Sequence, residues 1–202
     1  MIRIYFGSPG CGKTSLIAFF TQKYFKQYHL FKRLYKIPRY DYVLSNVPII
    51  NASPFDVRDL DSFSPYPRSL LLIDEGGIVY NNRKFKDMPQ GTIEFLKLHR
   101  HYNCDISVFS QSWEDLDITI RRLCDEIYKV QKIGQFTFTR LIQRRVGIDK
   151  ETKQIVDQFH QVPLVASPFV PAENAFFFRP FYYKFFDSFE TPDRPFLQVD
   201  HL

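Results

Sequence analysis

The first residues of the chain that could do chemistry form a glycine-rich loop. Gly7, four further residues, and then Gly12, Lys13 and Thr14 match the pattern G-x4-G-K-[ST], in which the backbone N–H groups cradle phosphates, the lysine reaches the β and γ phosphates, and the hydroxyl coordinates Mg²⁺. The residues predicted to bind a nucleotide are Gly7, Ser8, Pro9, Gly10, Cys11, Gly12, Lys13, Thr14 and Ser15.

The elements around this loop must hold it in place. "IRIYF" before it has the apolar, aromatic and β-branched composition of a strand, and "KTSLIAFFTQKYF" predicts a helix that begins at the loop. The phosphates would then lie at a helix N-terminus, where the dipole and the unpaired N–H groups favour negative charge. The alternative is an ordinary glycine turn between a strand and a helix.

A second chemical group follows an apolar run in "RSLLLIDEGG". Four consecutive apolar residues fit a strand covered on both faces, as in a parallel sheet, and the carboxylates after it would emerge at the edge where ligands bind. Asp74 would hold Mg²⁺ through its outer coordination shell, and Glu75 would polarise the attacking water, the arrangement of P-loop ATPases that carry their own catalytic base. Alternatively, this pair caps the next helix.

A third candidate is Gln111, at the end of a strand predicted over Asp105–Ser110. Its amide could sense the γ-phosphate or orient water, or it could cap the helix predicted over Trp113–Cys124. Another strand is predicted over Tyr42–Val47. Two more strands joined at Gly134-Gln135 predict a hairpin, the first as the fifth strand of the core and the second as an antiparallel edge.

These elements predict an α/β fold with a mainly parallel sheet flanked by helices and a C-terminal β-hairpin. Beyond it, prolines punctuate an aromatic-rich tail that includes "AFFFRPFYYKFFDSFE". We therefore expect a P-loop core over residues 1–161 and an extension over 162–202 that packs on the core or on a neighbouring subunit, because so much exposed aromatic surface would be unusual.

Composition narrows the remaining classes. The 202 residues carry a net charge of +5, which permits an anionic partner, and their three cysteines are widely spaced without a CxxC pair, so neither a zinc site nor a disulfide framework is predicted. His99 and His101 favour a structural role over metal binding. No uncharged apolar run approaches the ~18 residues that a bilayer requires. One segment mixes basic and aromatic residues and predicts either a grip on single-stranded DNA or an amphipathic helix: Lys26, Tyr28, Phe31, Lys32, Arg33, Tyr35, Lys36 and Arg39.

Several pieces in chain order resemble the zonula occludens toxin (Zot)-like family, P-loop ATPases of filamentous phages that include the phage assembly and export protein. They are "GSPGCGKT", "SNVP", "LLLIDEGG", "LKLHRHYNCDISVFSQS" followed by "DLDITIRRLCDEIYKV", and "FYYKFFDSFET". The most family-specific of them is "HRHYNCDI", leading into a strand that ends in Ser-Gln. Together the pieces span the chain from residue 2 to about residue 191.

The resemblance implies a RecA/FtsK-like core, ATP and Mg²⁺ as ligands, and assembly into a ring that we expect to be a hexamer. In such rings an arginine of one subunit enters the nucleotide site of its neighbour. Arg121 or Arg122 matches the family's basic positions for this role, and Arg100 and Arg83 are alternatives. Arg121 and Arg122 could instead form ion pairs. Family members usually continue into a transmembrane helix and a periplasmic domain, which this sequence does not contain. The expected location is the host bacterial cytoplasm, at the inner membrane.

Three functions remain open at this stage. The first is an ATP-hydrolysing motor that assembles a filamentous phage and exports it through the host envelope, with host inner-membrane proteins, other phage assembly proteins, coat protein or single-stranded DNA as partners. The second is a DNA translocase or packaging ATPase of the FtsK/HerA type. The third is an assembly module that ATP switches without significant turnover, against which the presence of Glu75 argues.

Overall fold

The computed structural model describes residues 1–34, 36–76, 89–148, 155–162 and 175–187. The strands are β1 Ile2–Phe6, β2 Tyr42–Ser45, β3 Ser53–Pro54, β4 Ser69–Ile73, β5 Asp105–Ser110, β6 Glu126–Ile133, β7 Phe136–Ile148, β8 Ile155–Gln161 and β9 Phe176–Phe178. The α-helices in these ranges are α1 Lys13–Arg33, α2 Gln90–Leu98 and α3 Ile118–Leu123, and 3₁₀ helices cover Val57–Asp61, Arg179–Phe181 and Tyr183–Phe185.

These strands form one mixed sheet with the order β3-β2-β4-β5-β1-β6-β7-β8, and β9 pairs with β7. All neighbours from β3 to β6 are parallel, whereas β7 is antiparallel to β6, β8 and β9. The first strand of the chain therefore lies in the middle of the sheet, between β5 and β6. The loop that follows β1 is consequently surrounded by the carboxyl ends of the parallel strands.

Apolar layers cover both faces of the central strands. Because side chains alternate along a strand, Ile2 and Ile4 face a cluster with α2 and α3, while Tyr5 faces the cluster with α1. Tyr5 stacks on Phe109 of β5 and Tyr128 of β6, with ring centroids 5.0 Å and 4.9 Å apart. The strand β4 is buried along its whole length, which explains its uninterrupted apolar sequence.

The α/β class, the parallel core and the hairpin are confirmed. The first hairpin strand does pair with β1 in parallel, and Gly134 takes φ +55° at the turn. The second hairpin strand is not an edge, because β8 pairs along its outer side. Boundaries also differ: β2 ends at Ser45 instead of Val47, and α3 begins only at Ile118, where the carboxylate of Asp117 accepts a hydrogen bond from the N–H of Thr119.

At the edge of the sheet opposite the glycine loop, Asp105 is the centre of a charged cluster. Its carboxylate accepts hydrogen bonds from Tyr40 Oη, Arg3 Nη1 at 3.3 Å, Arg39 Nη2 at 3.1 Å and the amino group of Met1. Burial alone would raise the pKa of Asp105, but these hydrogen bonds and the charge of Arg3 outweigh it and lower the pKa to about 2. The cluster ties the start of β5 to β1 and to the segment before β2.

We expect Asp105→Asn to remove an acid-sensitive part of the stability. The folded-state pKa lies below the ordinary 3.8, so the stabilisation is complete above about pH 4 and disappears as the pH falls toward 2. At pH 7 the variant should lose about 2 kcal/mol in its free energy of unfolding, and its stability should change less than that of the wild type between pH 5 and 3. Urea unfolding at several pH values measures both quantities.

The exposed Asp59 offers a matched control, since Asp59→Asn makes the same chemical change outside the cluster. This control should follow the wild-type pH dependence. Equal acid sensitivity in Asp105→Asn and the wild type would contradict the role given to the cluster.

Candidate functional site

The glycine loop lies between β1 and α1, and its backbone requires glycine. Gly10 and Gly12 take φ +69° and +97°, a region that favours glycine. A Cβ on Gly12 would also lie 2.4 Å from Thr137 Oγ1, and one on Gly7 would lie 2.5 Å from the carbonyl oxygen of Val130. The hairpin strands therefore hold the loop from one side, and Thr137 Oγ1 donates a hydrogen bond to the Cys11 carbonyl at 2.9 Å.

Lys13 begins α1 and is buried, with 7% of its surface exposed. Its ammonium group donates hydrogen bonds to the carbonyl of Gly7 at 2.9 Å and to that of Ser8 at 3.4 Å, so the side chain folds back over the loop. The first turn of α1 contains no acidic residue. The positive end of the helix dipole and the lysine thus act together on the space inside the loop.

The acidic pair lies across from the loop, directly after β4. Asp74 is buried, and Thr14 Oγ1 donates a hydrogen bond to Asp74 Oδ2 at 3.2 Å. Burial raises the pKa of Asp74. The hydrogen bonds from the N–H of Glu75 and the hydroxyl of Thr14 act in the opposite direction, because they stabilise the carboxylate. A carboxylate and a hydroxyl placed together are a suitable pair of oxygen ligands for a hard divalent cation.

Asn46, just past the end of β2, is hydrogen-bonded to both the backbone N–H and the backbone carbonyl of Asp74. Its Nδ2 donates to the Asp74 carbonyl at 3.1 Å, and its Oδ1 accepts a hydrogen bond from the Asp74 N–H at 2.7 Å. The sequence contained this residue within "SNVP", but nothing in its spacing indicated a contact with a residue 28 positions away.

Glu75 adopts an uncommon backbone conformation, with φ +51°, which a residue with a Cβ adopts only when its surroundings impose it. The next residue lies close to β5, because a Cβ on Gly76 would lie 2.3 Å from Val108 Cγ1. Gln111 Nε2 lies 3.3 Å and 3.4 Å from the two carboxylate oxygens of Glu75 and donates to them.

These groups share one cavity of about 570 Å³. Its lining includes the glycine loop, Lys13, Thr14, Glu75 and Gln111, together with a segment near the C-terminus that sequence reasoning did not assign to the site. The lining residues from that segment are Arg179, Tyr183, Phe186 and Asp187. Asp74 is buried and is not among the lining residues, but it is hydrogen-bonded to Thr14, which is.

Arg179 reaches the loop directly. Its guanidinium donates hydrogen bonds to the carbonyl oxygens of Gly10 at 3.3 Å, Gly134 at 2.5 Å and Gln135 at 3.4 Å. The side chain therefore joins the glycine loop to the hairpin turn. The surrounding sequence predicted only a buried aromatic segment, and no spacing rule links residue 179 to residue 10.

The arginines proposed for a neighbouring site lie outside the cavity in the described residues. Arg121 is half-buried, with its guanidinium 5.9 Å from the Trp113 ring, while Arg122 is exposed. Arg100 is hydrogen-bonded to Asp125, whose carboxylate also accepts the N–H of Ile2 at the opposite edge of the sheet. Arg83 falls outside the described residues.

His99 is buried, with Nδ1 2.7 Å from the Leu96 carbonyl, and burial lowers the pKa of its imidazole. Over the described ranges, there is no group of three or more His, Cys, Asp or Glu side chains suited to a metal. In the same parts of the chain, none of the helices combines the length and the hydrophobicity that crossing a membrane requires. Tyr35 of the basic segment falls outside the described residues, and its basic residues are all exposed: Lys26, Lys32, Arg33, Lys36 and Arg39.

A parallel core with β1 at its centre, a glycine loop between β1 and α1, and an acidic pair after β4 define a P-loop NTPase with a RecA-like fold. Residues 30–168 match the family described as Zonular occludens toxin (Zot). Since this match covers more than half of the chain, the protein belongs to the Zot family. Among curated protein sequences, none matches the chain.

Several solved structures are similar to this chain. The N-terminal domain of zonular occludens toxin from Neisseria meningitidis is 19% identical, with 82% of this chain and 96% of that domain covered at a TM-score of 0.50. The genome packaging NTPase B204 from Sulfolobus turreted icosahedral virus 2, in complex with ATP-gammaS, is 16% identical over 81% of this chain and 98% of that chain, at a TM-score of 0.42. The cytoplasmic domain of the type VII secretion ATPase EccC from Thermomonospora curvata is 11% identical over 80% of this chain and 24% of that chain, at 0.45.

Proposed function

We propose that this protein is an ATP-hydrolysing motor for filamentous phage assembly and export, with its catalytic core over residues 1–161 and an extension over 162–202. One observation supports the hydrolytic part most directly. Glu75 and Gln111 line the same cavity as Lys13 and Thr14, so a base, a water-orienting amide and phosphate-binding groups can act on one ligand.

In this proposal the glycine loop and Lys13 bind the phosphates of ATP. Thr14 and Asp74 would hold Mg²⁺, for which their oxygens are the appropriate donor set. ATP would supply the γ-phosphoryl group, and Mg²⁺ would neutralise part of the charge that develops on it. Burial of Asp74 strengthens its preference for a cation, because an isolated buried carboxylate is unfavourable.

Glu75 then activates the attacking water. Its carboxylate accepts a proton from the water as the oxygen bonds to the γ-phosphorus, and the bond to the β-phosphate oxygen breaks to release ADP. Gln111 keeps the Glu75 side chain in the cavity and orients the water through its amide. In a hexameric ring, Arg121 or Arg122 of a neighbouring subunit would stabilise the charge on the transferred group.

Membership of the Zot family supports phage export as the work done with this energy. We place the protein at the cytoplasmic face of the host inner membrane, in contact with inner-membrane or other phage assembly proteins and with coat protein or single-stranded DNA. A DNA translocase or packaging ATPase is the second candidate, because Lys26, Lys32 and Arg33 near the C-terminal end of α1, with Lys36 after it, are exposed basic residues that could contact phosphates.

The first experiment is to measure ATP hydrolysis by the purified protein while its oligomeric state is followed, with and without single- or double-stranded DNA. Turnover in an assembled form that DNA leaves unchanged supports the export motor. Turnover that rises with DNA supports the translocase. If the assembled protein binds ATP without hydrolysing it, the nucleotide-switched assembly module replaces both proposals.

We expect Asn46→Ala to raise the Mg²⁺ concentration for half-maximal turnover about tenfold, the usual size of an effect on a residue that orients a metal ligand. Removal of the amide deletes both hydrogen bonds to the Asp74 backbone, so the Asp74 carboxylate is held less firmly in its position next to Thr14. Turnover measured against Mg²⁺ concentration gives this value.

Asn51→Gly is the control, since it removes an amide that bonds Gln22 instead of the acidic pair and glycine tolerates the φ of +73° at this position. An unchanged Mg²⁺ dependence in Asn46→Ala, with lower thermal stability alone, would assign Asn46 a purely structural role.

A further inference from the structure

The lining of the cavity has two chemically different parts. One part is the glycine loop with Lys13 and Thr14, and the other is Tyr183, Phe186 and Asp187 of the C-terminal segment. These last three residues also border a second cavity of about 720 Å³, lined largely by apolar residues around Val47–Ala52. They therefore separate the phosphate-binding cavity from an apolar one, and an aromatic wall in that place suits the flat, weakly polar base of a nucleotide.

The structure assigns a nucleoside-binding subsite to this aromatic wall. We propose that Tyr183 and Phe186 contact the base, that the Asp187 carboxylate accepts hydrogen bonds from ribose hydroxyl or base amino groups, and that Arg179 lies beside the phosphates. This inference rests on the proposed nucleotide-binding function and adds the part of the ligand that the glycine loop does not recognise.

The segment that carries the aromatic wall is fixed to the core by residues that lie before and between the ones lining the cavity. Phe177 is buried and stacks on Phe19 of α1, with centroids 4.9 Å apart. Tyr182 meets the same Phe19 ring edge-on at 5.6 Å, and the carbonyl of Phe185 accepts a hydrogen bond from the N–H of Ile50 at 2.9 Å. Tyr182 and Phe185 therefore act as anchors, and their neighbours Tyr183 and Phe186 line the cavity.

The charges along the segment match a nucleotide placed in this direction. The guanidinium of Arg179 bonds the carbonyl of Gly10 within the loop, so a cation lies at the phosphate end. Asp187 follows the aromatic pair in the chain and also lines the cavity, and a carboxylate can accept hydrogen bonds from hydroxyl and amino groups. Since stacking on an aromatic ring depends little on which base is present, the subsite should accept adenine and guanine nucleotides with similar affinity.

The test compares a nucleotide with a ligand that has only its phosphates. Isothermal titration calorimetry measures binding of a non-hydrolysable ATP analogue (AMPPNP) and of inorganic tripolyphosphate, both with Mg²⁺, to the full chain. We expect Tyr183→Ala and Phe186→Ala each to bind AMPPNP about tenfold more weakly, the typical loss for one base-stacking ring. Their affinity for tripolyphosphate should stay unchanged, and Tyr183→Phe should bind AMPPNP as the wild type does.

Phe181→Ala is the matched control: Phe181 belongs to the same segment and is 69% exposed, but it does not line the cavity. This variant should bind AMPPNP and tripolyphosphate as the wild type does. In a separate titration, the wild type should bind the guanine analogue GMPPNP with an affinity similar to that for AMPPNP. Retained tripolyphosphate binding also reports that each variant is folded around its loop.

Four results would overturn the assignment. Unchanged AMPPNP affinity in both alanine variants, or an equal loss for both ligands, would show that the wall does not recognise the nucleoside. Equal affinity of the wild type for AMPPNP and tripolyphosphate would also show that the wall does not recognise the nucleoside, while still supporting a phosphate site at the loop. Binding of neither ligand to the wild type would reject the proposed function itself together with this subsite.

Discussion

Glu75→Gln should reduce ATP turnover at least about 100-fold, the usual effect of removing a general base, and leave nucleotide affinity close to that of the wild type. The glutamine side chain has nearly the same shape, so it can occupy the same place in the cavity and still accept a hydrogen bond from Gln111. Its amide cannot take a proton from water at neutral pH. Steady-state phosphate release gives the turnover, and calorimetry with AMPPNP gives the affinity.

Glu94→Gln provides the control, because Glu94 is an exposed carboxylate on α2 that does not line the cavity. It should have wild-type turnover. Comparable turnover in Glu75→Gln and the wild type would remove Glu75 from the mechanism and leave the base unidentified, whereas the loss of both binding and turnover would indicate a structural defect.

Lys13→Ala should weaken AMPPNP binding at least about 100-fold, because the ammonium group would make charge-assisted contacts with two phosphates and each such contact is worth about 1.5–3 kcal/mol. The lysine now bonds the carbonyls of Gly7 and Ser8, and these contacts hold it above the loop where phosphates would bind. Calorimetry measures the affinity, and thermal unfolding without nucleotide shows whether the variant is folded.

Lys26→Ala, on the same helix but exposed, controls for a general loss of positive charge and should bind AMPPNP as the wild type does. If Lys13→Ala bound AMPPNP as tightly as Lys26→Ala, the glycine loop would not be the nucleotide site. The proposed motor would then lack its energy source.

Much of the site was predictable because its signals are local. The spacing of Gly7, Gly12 and Lys13 specifies a loop geometry, and the apolar run before Asp74 specifies a fully buried strand whose end must meet the loop after β1. The family match begins at residue 30, so it includes Asp74 and Glu75 but not the glycine loop. The loop and the family therefore support the P-loop class from separate parts of the chain.

The contacts that could not be predicted join distant positions. Asn46 meets Asp74 only because β2 and β4 are neighbours in the sheet, and Arg179 meets Gly10 only because the C-terminal segment returns over α1. Its aromatic composition predicts burial but not the partner. Helix α3 is shorter than predicted because Asp117 caps its start. In the sequence "WEDLD", a capping aspartate is hard to distinguish from the other polar residues.

The position of the glycine loop within the sheet also bears on the order in which the molecule matures. The strands that flank β1 are β5 and β6, about a hundred residues later in the chain, and Arg179 follows Gly10 by 169 positions. Contacts so far apart in sequence form slowly. A nascent chain that ends before Arg179 lacks this last support of the loop, so the proposed nucleotide site is complete only after synthesis has passed that residue.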